Sequence, residues 1–441
     1  MRSHPALSQS LLNFIKVTGK TLDERSNPFN QWIDARRDVG VWPYSRILQA
    51  PALHHTTIAD EFGLNPTLGI NFSSQDYLGL ANRSELKQAA HTAIDQFGVH
   101  SAGSPALCGR TSILLELEHK IAKQLGYESC VIYATGWAAG FGVVTGLVRE
   151  ADTIIIDALC HNCIQEGAKH ATNNLRKFNH NDSNHLEQLL REERTSNSDG
   201  AIFIAIESLY SMDSDSPDIN AVILLAQRYE AIVILDVAHD FGAMGEYGRG
   251  LIDTITVDGW RDCVVVMGSF SKTFAANGGY VVCSIPIRQY LRSYSTSQLF
   301  SNAMSPLQTA IINKSFEIAF SEEGELLRKN LAANIMKLRN IMQSRLFNIA
   351  GTASPIVPVF VGTETDVEAT ARLTSKHLIK NNLHANLVEF PSVPRGKARF
   401  RFQVMATHEA AQIEQAADIM AKSRSSAIAE LAELTKASSF K

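Results

Sequence analysis

No stretch of this 441-residue chain approaches the roughly 18 consecutive apolar residues that span a bilayer as a helix. A protein anchored by such a span is excluded. Nor does one sign of charge prevail: 41 Lys and Arg stand against 45 Asp and Glu, a net charge of −4 with a pI near 6.4. That balance gives no electrostatic case for nucleic acid or an anionic membrane as the main partner. The opening residues, Met1-Arg-Ser-His-Pro5, carry no apolar signal core, so the reading is a cytoplasmic protein. Cysteine is sparse, six residues scattered along the chain, which fits reduced thiols and not a disulfide framework. The close pair Cys160-His-Asn-Cys163 has no second half-site at a suitable spacing, and no metal is expected. Internal repeats and low-complexity tracts are missing too.

What remains is ordinary globular composition, 45% hydrophobic and 20% charged, in a chain long enough for two lobes. Residues 1–69 are polar and mixed, with Pro28, Pro43, Pro51 and Pro66 interrupting helical periodicity, and read as an N-terminal arm. From about 130 to 284, short apolar runs recur: Cys130–Tyr133, Thr153–Ile156, Ala201–Ile206, Ala231–Leu235, Cys263–Met267 and Tyr280–Cys283. Continuous apolarity means both strand faces are covered, the mark of a mainly parallel sheet sandwiched by helices. An α/β domain over 70–310 is therefore expected. Residues from about 310 to 345 read as one long amphipathic helix, and 311–441 as that connecting helix with a smaller α+β C-terminal domain.

Parallel sheets place their chemistry at the carboxyl ends of the strands, and polar residues stand there. Asp236 ends a buried run, where a carboxylate is costly unless it meets a cation; it is either a loop or N-cap aspartate, or the partner of a protonated pyridine nitrogen, with His239 beside the same ring. Lys272, in Gly268-Ser-Phe-Ser-Lys272, is either a turn lysine or a Schiff-base amine, with Ser269 as a phosphate donor. Thr135-Gly-Trp137 opens a helix, as a plain strand-to-helix turn or as a phosphate site made by the N–H groups of Gly136 and Trp137. His161 is either a core histidine or a ring stacked on a flat ligand. Arg399 and Arg401 share one face of an alternating strand, as surface arginines or as a carboxylate clamp.

Taken in order, these motifs resemble the α-oxoamine synthases, a family of fold type I pyridoxal-phosphate enzymes. The resemblance runs from about Asn71 to His408. It rests on Asn71-Phe-Ser-Ser-Gln-Asp-Tyr-Leu-Gly-Leu80, Asp236-Val-Ala-His239 and Gly268-Ser-Phe-Ser-Lys272. It implies pyridoxal 5'-phosphate as cofactor, with Gly136, Trp137 and Ser269 at the phosphate, His161 over the ring, and Ser211 and His239 at ring substituents. Asp236 is then at the pyridine nitrogen and Lys272 is the covalent attachment. It further implies a homodimer in which Ser301 and Asn302 reach the neighbouring subunit's phosphate. Arg401, Ser392 and Gln75 fall at substrate positions, with Arg401 clamping the carboxylate. Gln75 stands where the family usually has asparagine, Val237 where an acidic residue is common, and Ser104-Pro-Ala106 with Leu114 replace a Gly-Ser-Arg loop and a later histidine. The implied activity is condensation of an amino acid with an acyl thioester to an α-amino ketone, usually with decarboxylation. An aminotransferase or aldolase could use the same lysine and aspartate. A non-catalytic partner subunit is a third reading, against which the presence of Lys272 argues.

Overall fold

The computed structural model describes residues 5–196, 200–362 and 366–439. Residues 1–4, part of the segment read above for a signal core, lie outside them. The chain forms two compact units, one of Gln75–Ser211 with Asp215–Lys329, the other of Met1–Ser74, Met212–Ser214 and Asn330–Lys441. The division drawn from the sequence, at 69/70 and 310/311, treated the first segment as a separate arm. The contacts group it with the C-terminal residues.

In the first unit seven strands make one sheet: β1 (Ser129–Tyr133), β2 (Thr153–Asp157), β3 (Leu175–Phe178), β4 (Ile202–Glu207), β5 (Ile232–Asp236), β6 (Val264–Ser269) and β7 (Gly279–Cys283). Their order is β1-β7-β6-β5-β4-β2-β3. All neighbours are parallel except β7, which runs antiparallel to both β1 and β6. Each of the six apolar runs is a strand. The unforeseen one, β3, reads Leu-Arg-Lys-Phe; among the described residues it is an edge strand bonded to β2, with only Phe178 fully buried and Lys177 exposed, so no apolar run results. Val131, Ile156, Ala205, Ile234, Val265 and Val281 pack from six strands into one core with Val143 and Val144 of helix α1 (Gly136–Leu147).

The single long helix expected over 310–345 is two, Pro306–Ala319 and Glu322–Ser344. The break has a local cause. Ser321 Oγ donates to the carbonyl of Ile318 at 2.8 Å and accepts from Gly324 N–H at 3.4 Å, closing one helix and opening the next.

The second unit carries its own seven-stranded mixed sheet, in which Thr67–Phe72 runs parallel to Leu383–Val388, so N- and C-terminal segments share one sheet. Pro28, taken above as a breaker, lies inside the helix Leu22–Asp38. Two things outweigh the missing N–H. Thr21 and Glu24 form a reciprocal capping box at the helix start, and Trp32 and Arg36 bury one of its faces.

Candidate active site

The carboxyl ends of β1, β2, β4, β5 and β6 surround a cleft of about 270 Å³. On one side, α1 begins at Gly136, and Thr135 Oγ1 accepts the Ala138 N–H at 3.0 Å, so the first turn is fixed while the amides of Gly136 and Trp137 belong to the uncapped end. Ser269, last residue of β6, lies so close that a Cβ on residue 136 would overlap its Oγ; glycine is required there by approach. Ser269 Oγ is 2.8 Å from Ser271 Oγ. A helix N-terminus and two hydroxyls thus converge, which is the chemistry of an anion cradle.

On the opposite side two carboxylates end adjacent strands. Glu207 closes β4 and Asp236 closes β5, and they are register partners, so both project from the same sheet face. Asp236 is buried, and one of its oxygens accepts the Ala238 N–H at 2.9 Å. Burial raises the Asp236 carboxyl above the usual range, while the charge of Lys272 and the presence of His161 oppose that rise. Lys272, half-buried in the turn after β6, lines the same cleft. A carboxylate and an amine are therefore held near each other in a site that is partly closed to water.

His161 is exposed and caps helix α2 (Asn162–Ala171): its Nδ1 accepts the Cys163 N–H at 3.3 Å and lies 2.9 Å from Cys163 Sγ. The backbone donor makes Nδ1 the unprotonated nitrogen, which leaves the ring proton on Nε2. The core-histidine alternative falls away. His239 is buried, with Nδ1 3.0 Å from Tyr77 Oη. Trp137 is half exposed, its ring stacked on Phe141 with centroids 5.1 Å apart.

The described lining of this cleft brings together Gly136, Trp137, His161, Asp236, His239, Ser269 and Lys272, seven of the residues singled out from sequence. Ser211, buried, and Gln75, half-buried, belong to the same unit and are not among that lining. Ser301 and Asn302 are also outside it; their segment is tied to the loop before helix Ser112–Leu125, through Ala303 N–H on the Gly103 carbonyl and Ser104 Oγ on that of Leu299. Arg401 and Ser392 lie in the second unit. Arg401 contacts Met212 Sδ at 3.5 Å, and Gln403's amide oxygen, in the orientation that satisfies both groups, accepts from its Nη2 and Nε at 2.9 and 2.6 Å. Its strand neighbour Arg399 is buried in an ion pair with Asp213, a structural role.

Sequence reasoning gave no role to three residues found here. Tyr77 sits within a quoted motif, but its partner His239 is distant in sequence and unreadable from it. Cys163 was weighed only within the Cys160–Cys163 pair, as a metal half-site or a redox pair. Glu207 stands at a strand end directly after an apolar run, as Asp236 does, and that position alone gave it no role.

Comparison with known proteins places the chain. The family model described as aminotransferase class I and II matches residues 68–420. The 8-amino-7-oxononanoate synthase of Trichlorobacter lovleyi is 34% identical over 345 residues, 78% of this chain and 86% of that protein. The enzyme of the same name from Geobacter sulfurreducens is 31% identical over 350 residues, 79% and 87%. Among solved structures, Sphingomonas wittichii serine palmitoyltransferase superposes with a TM-score of 0.84 at 24% identity, covering 92% of this chain and 99% of that one. An 8-amino-7-oxononanoate synthase from Francisella tularensis gives 0.66 at 23%, covering 80% and 97%. At such identities the structural likeness speaks for the fold.

Proposed function

Since the chain belongs to the α-oxoamine synthases within the class I and II aminotransferase family, we propose that it joins the α-carbon of an amino acid to the acyl group of a thioester. The products are an α-amino ketone, the free thiol and, in the usual course, carbon dioxide, with one proton taken up. The observation that carries this reading is the gathering of Lys272, Asp236 and the Gly136–Ser269 cradle in one cleft.

The cleft fits pyridoxal 5'-phosphate on the chemistry of its donors. When bound, that group supplies an aldehyde able to condense with an amine and a ring that accepts the electron pair of a broken α-C–H bond. The cradle formed by the amides of Gly136 and Trp137 with Ser269 takes the phosphate, because a helix N-terminus favours negative charge. Asp236 would hold the ring nitrogen, His161 would stack on the ring, and His239 and Ser211 would serve its substituents. The Lys272 amine is the attachment point and afterwards takes the α-proton of the substrate. Arg401 is assigned to the substrate carboxylate, with Ser392 and Gln75 at substrate positions. Amino acid and acyl thioester are the substrates.

We assign a homodimer in which Ser301 and Asn302 complete the neighbouring subunit's phosphate site. Leu107 and Phe300, on the two bonded loops beside them, are each 82% exposed, an apolar surface suited to a second copy. No helix among the described residues is long and apolar enough to cross a membrane, and we place the protein in the cytoplasm.

The test is to load the protein with pyridoxal phosphate, offer single amino acids with acyl thioesters of increasing length, and follow thiol release and the amino ketone by mass. Amino transfer to 2-oxoglutarate, with no thiol released from any thioester, would overturn the reading.

A further inference from the structure

The proposed chemistry leaves one buried carboxyl group of the cleft unused. Glu207 is 4% exposed, lines the cleft, and stands in register with Asp236 on the adjacent parallel strand, neighbouring strands lying about 4.8 Å apart. Two carboxylates at adjacent strand ends, both removed from water, cannot both be charged at low cost: the desolvation penalty applies to each, and their repulsion adds to it. One proton shared by the pair relieves both costs.

The surroundings decide where that proton sits. Asp236 accepts the Ala238 N–H and faces Lys272 and His161. Glu207 accepts the backbone N–H of His161 and also feels Lys272, but it faces Asp157 of β2 in addition to Asp236. Its remaining titratable neighbours, Cys160, Cys163 and Tyr210, have burial-raised values and are neutral, so they supply no positive charge to it. Burial, and then the charge of Asp236, hold the Glu207 carboxyl well above the usual carboxylate range.

We infer that Glu207 is a positioning residue that works as the neutral carboxylic acid, leaving the negative charge of the pair on Asp236 and fixing the backbone of His161. The inference rests on the cofactor reading, because its benefit is an undiluted charge opposite the pyridine nitrogen. Its two tasks are electrostatic and geometric at once. A carboxyl that keeps its proton adds no second negative charge behind Asp236, and its oxygen holds the N-terminus of α2 where the His161 ring is set.

The decisive measurement is infrared difference spectroscopy of the pyridoxal-phosphate-loaded protein, parent against Glu207→Gln, in water and in deuterium oxide. The parent shows the carbonyl stretch of a protonated carboxylic acid, shifted by deuterium, and the variant lacks it. In the parent alone that band persists to about pH 8, where carboxyls in ordinary surroundings are ionised. Glutamine mimics the neutral acid, so Glu207→Gln keeps turnover within about threefold and an unchanged pH profile. Absence of the band at neutral pH, or a loss of about tenfold or more in Glu207→Gln, overturns the inference. The band is read whether or not the cofactor binds. A protein that shows it but takes up no pyridoxal phosphate refutes the proposed function instead.

Discussion

Buried carboxylates are treated in opposite ways in the two units. In the second unit Glu389 receives Arg36 Nη1 at 3.0 Å, Arg372 Nε at 2.6 Å and the Tyr44 hydroxyl at 2.9 Å, while both arginines are at most 2% exposed. Its acceptor capacity is taken up by donors and cations built into the protein. In the first unit Asp236 accepts the Ala238 N–H and lines an open cleft. The first arrangement is closed by the chain's own donors and serves stability; the second faces a cleft that a ligand can enter, with Lys272 beside it. Burial alone therefore does not mark a functional carboxylate. The count of partners does.

The contrast can be broken in four places. Lys272→Ala removes the amine that faces Asp236. Pyridoxal phosphate then leaves no borohydride-reducible link to the protein, read by mass, and turnover falls by on the order of a thousandfold or more. Glu389→Gln tests the closed arrangement: it strands two buried arginines, and denaturant unfolding should reveal a loss of about 3–5 kcal/mol, with activity per folded molecule retained. If activity falls instead and stability holds, the division of roles is reversed. Asp236→Asn should still bind cofactor but exchange the α-proton of the preferred amino acid in deuterium oxide about a hundredfold more slowly. Exchange at the parent rate would move the pyridine partner to another carboxylate.

The fourth test compares two strand ends of the same sheet. Asp157, at the end of β2, is saturated like Glu389, here by His180 Nδ1 at 2.8 Å and the N–H groups of Leu159 and Asn181. His180 also meets Asp215 at 3.0 Å. Burial works against its protonation, but hydrogen bonds and charge from Asp157 and Asp215 prevail and raise it from 6.5 to about 10. A raised value means the stabilisation is present in full below about pH 6.5 and fades as pH climbs through about 10. The Tm gap between the parent and His180→Asn, a few degrees at most, should therefore close on going from pH 6 to pH 10. A gap that widens with pH would mean His180 is held neutral.

Much of this was legible in the residues, and the limits are physical. The strands of the first sheet announce themselves because both faces are buried, so each reads as an unbroken apolar run. Asp236 is visible because a charge directly after such a run needs a reason, and Lys272 because it follows another run within a segment of small and hydroxyl residues. What escaped depends on partners far away in sequence. Arg399 and Arg401 look alike in the strand, yet Asp213 claims one of them. Pro28 looks like a breaker until Trp32 and Arg36 are seen to be buried. The helix break at Ser321 depends on hydroxyl bonds that periodicity does not register. Glu207 was open to the reasoning applied to Asp236, and only its pairing across the sheet gives it a role.

The antiparallel strand β7 also sets the order in which the cleft can be assembled. Within its sheet β1 is bonded to β7 alone, and Tyr133 must wait for Gly279 to be synthesised. At about 5–20 residues per second, the apolar edge Cys130–Tyr133 stays unpaired for several seconds on the ribosome. A Cβ at residue 279 would sit 2.7 Å from Gly136 Cα and 2.6 Å from the Thr135 carbonyl oxygen, so the last strand to insert is also the one that seats the phosphate cradle. A nascent chain therefore has no complete cofactor site until its sheet is closed. Cofactor capture becomes a report that folding of this unit has finished, and crowding at residue 279 would show first as insoluble, cofactor-free protein during synthesis.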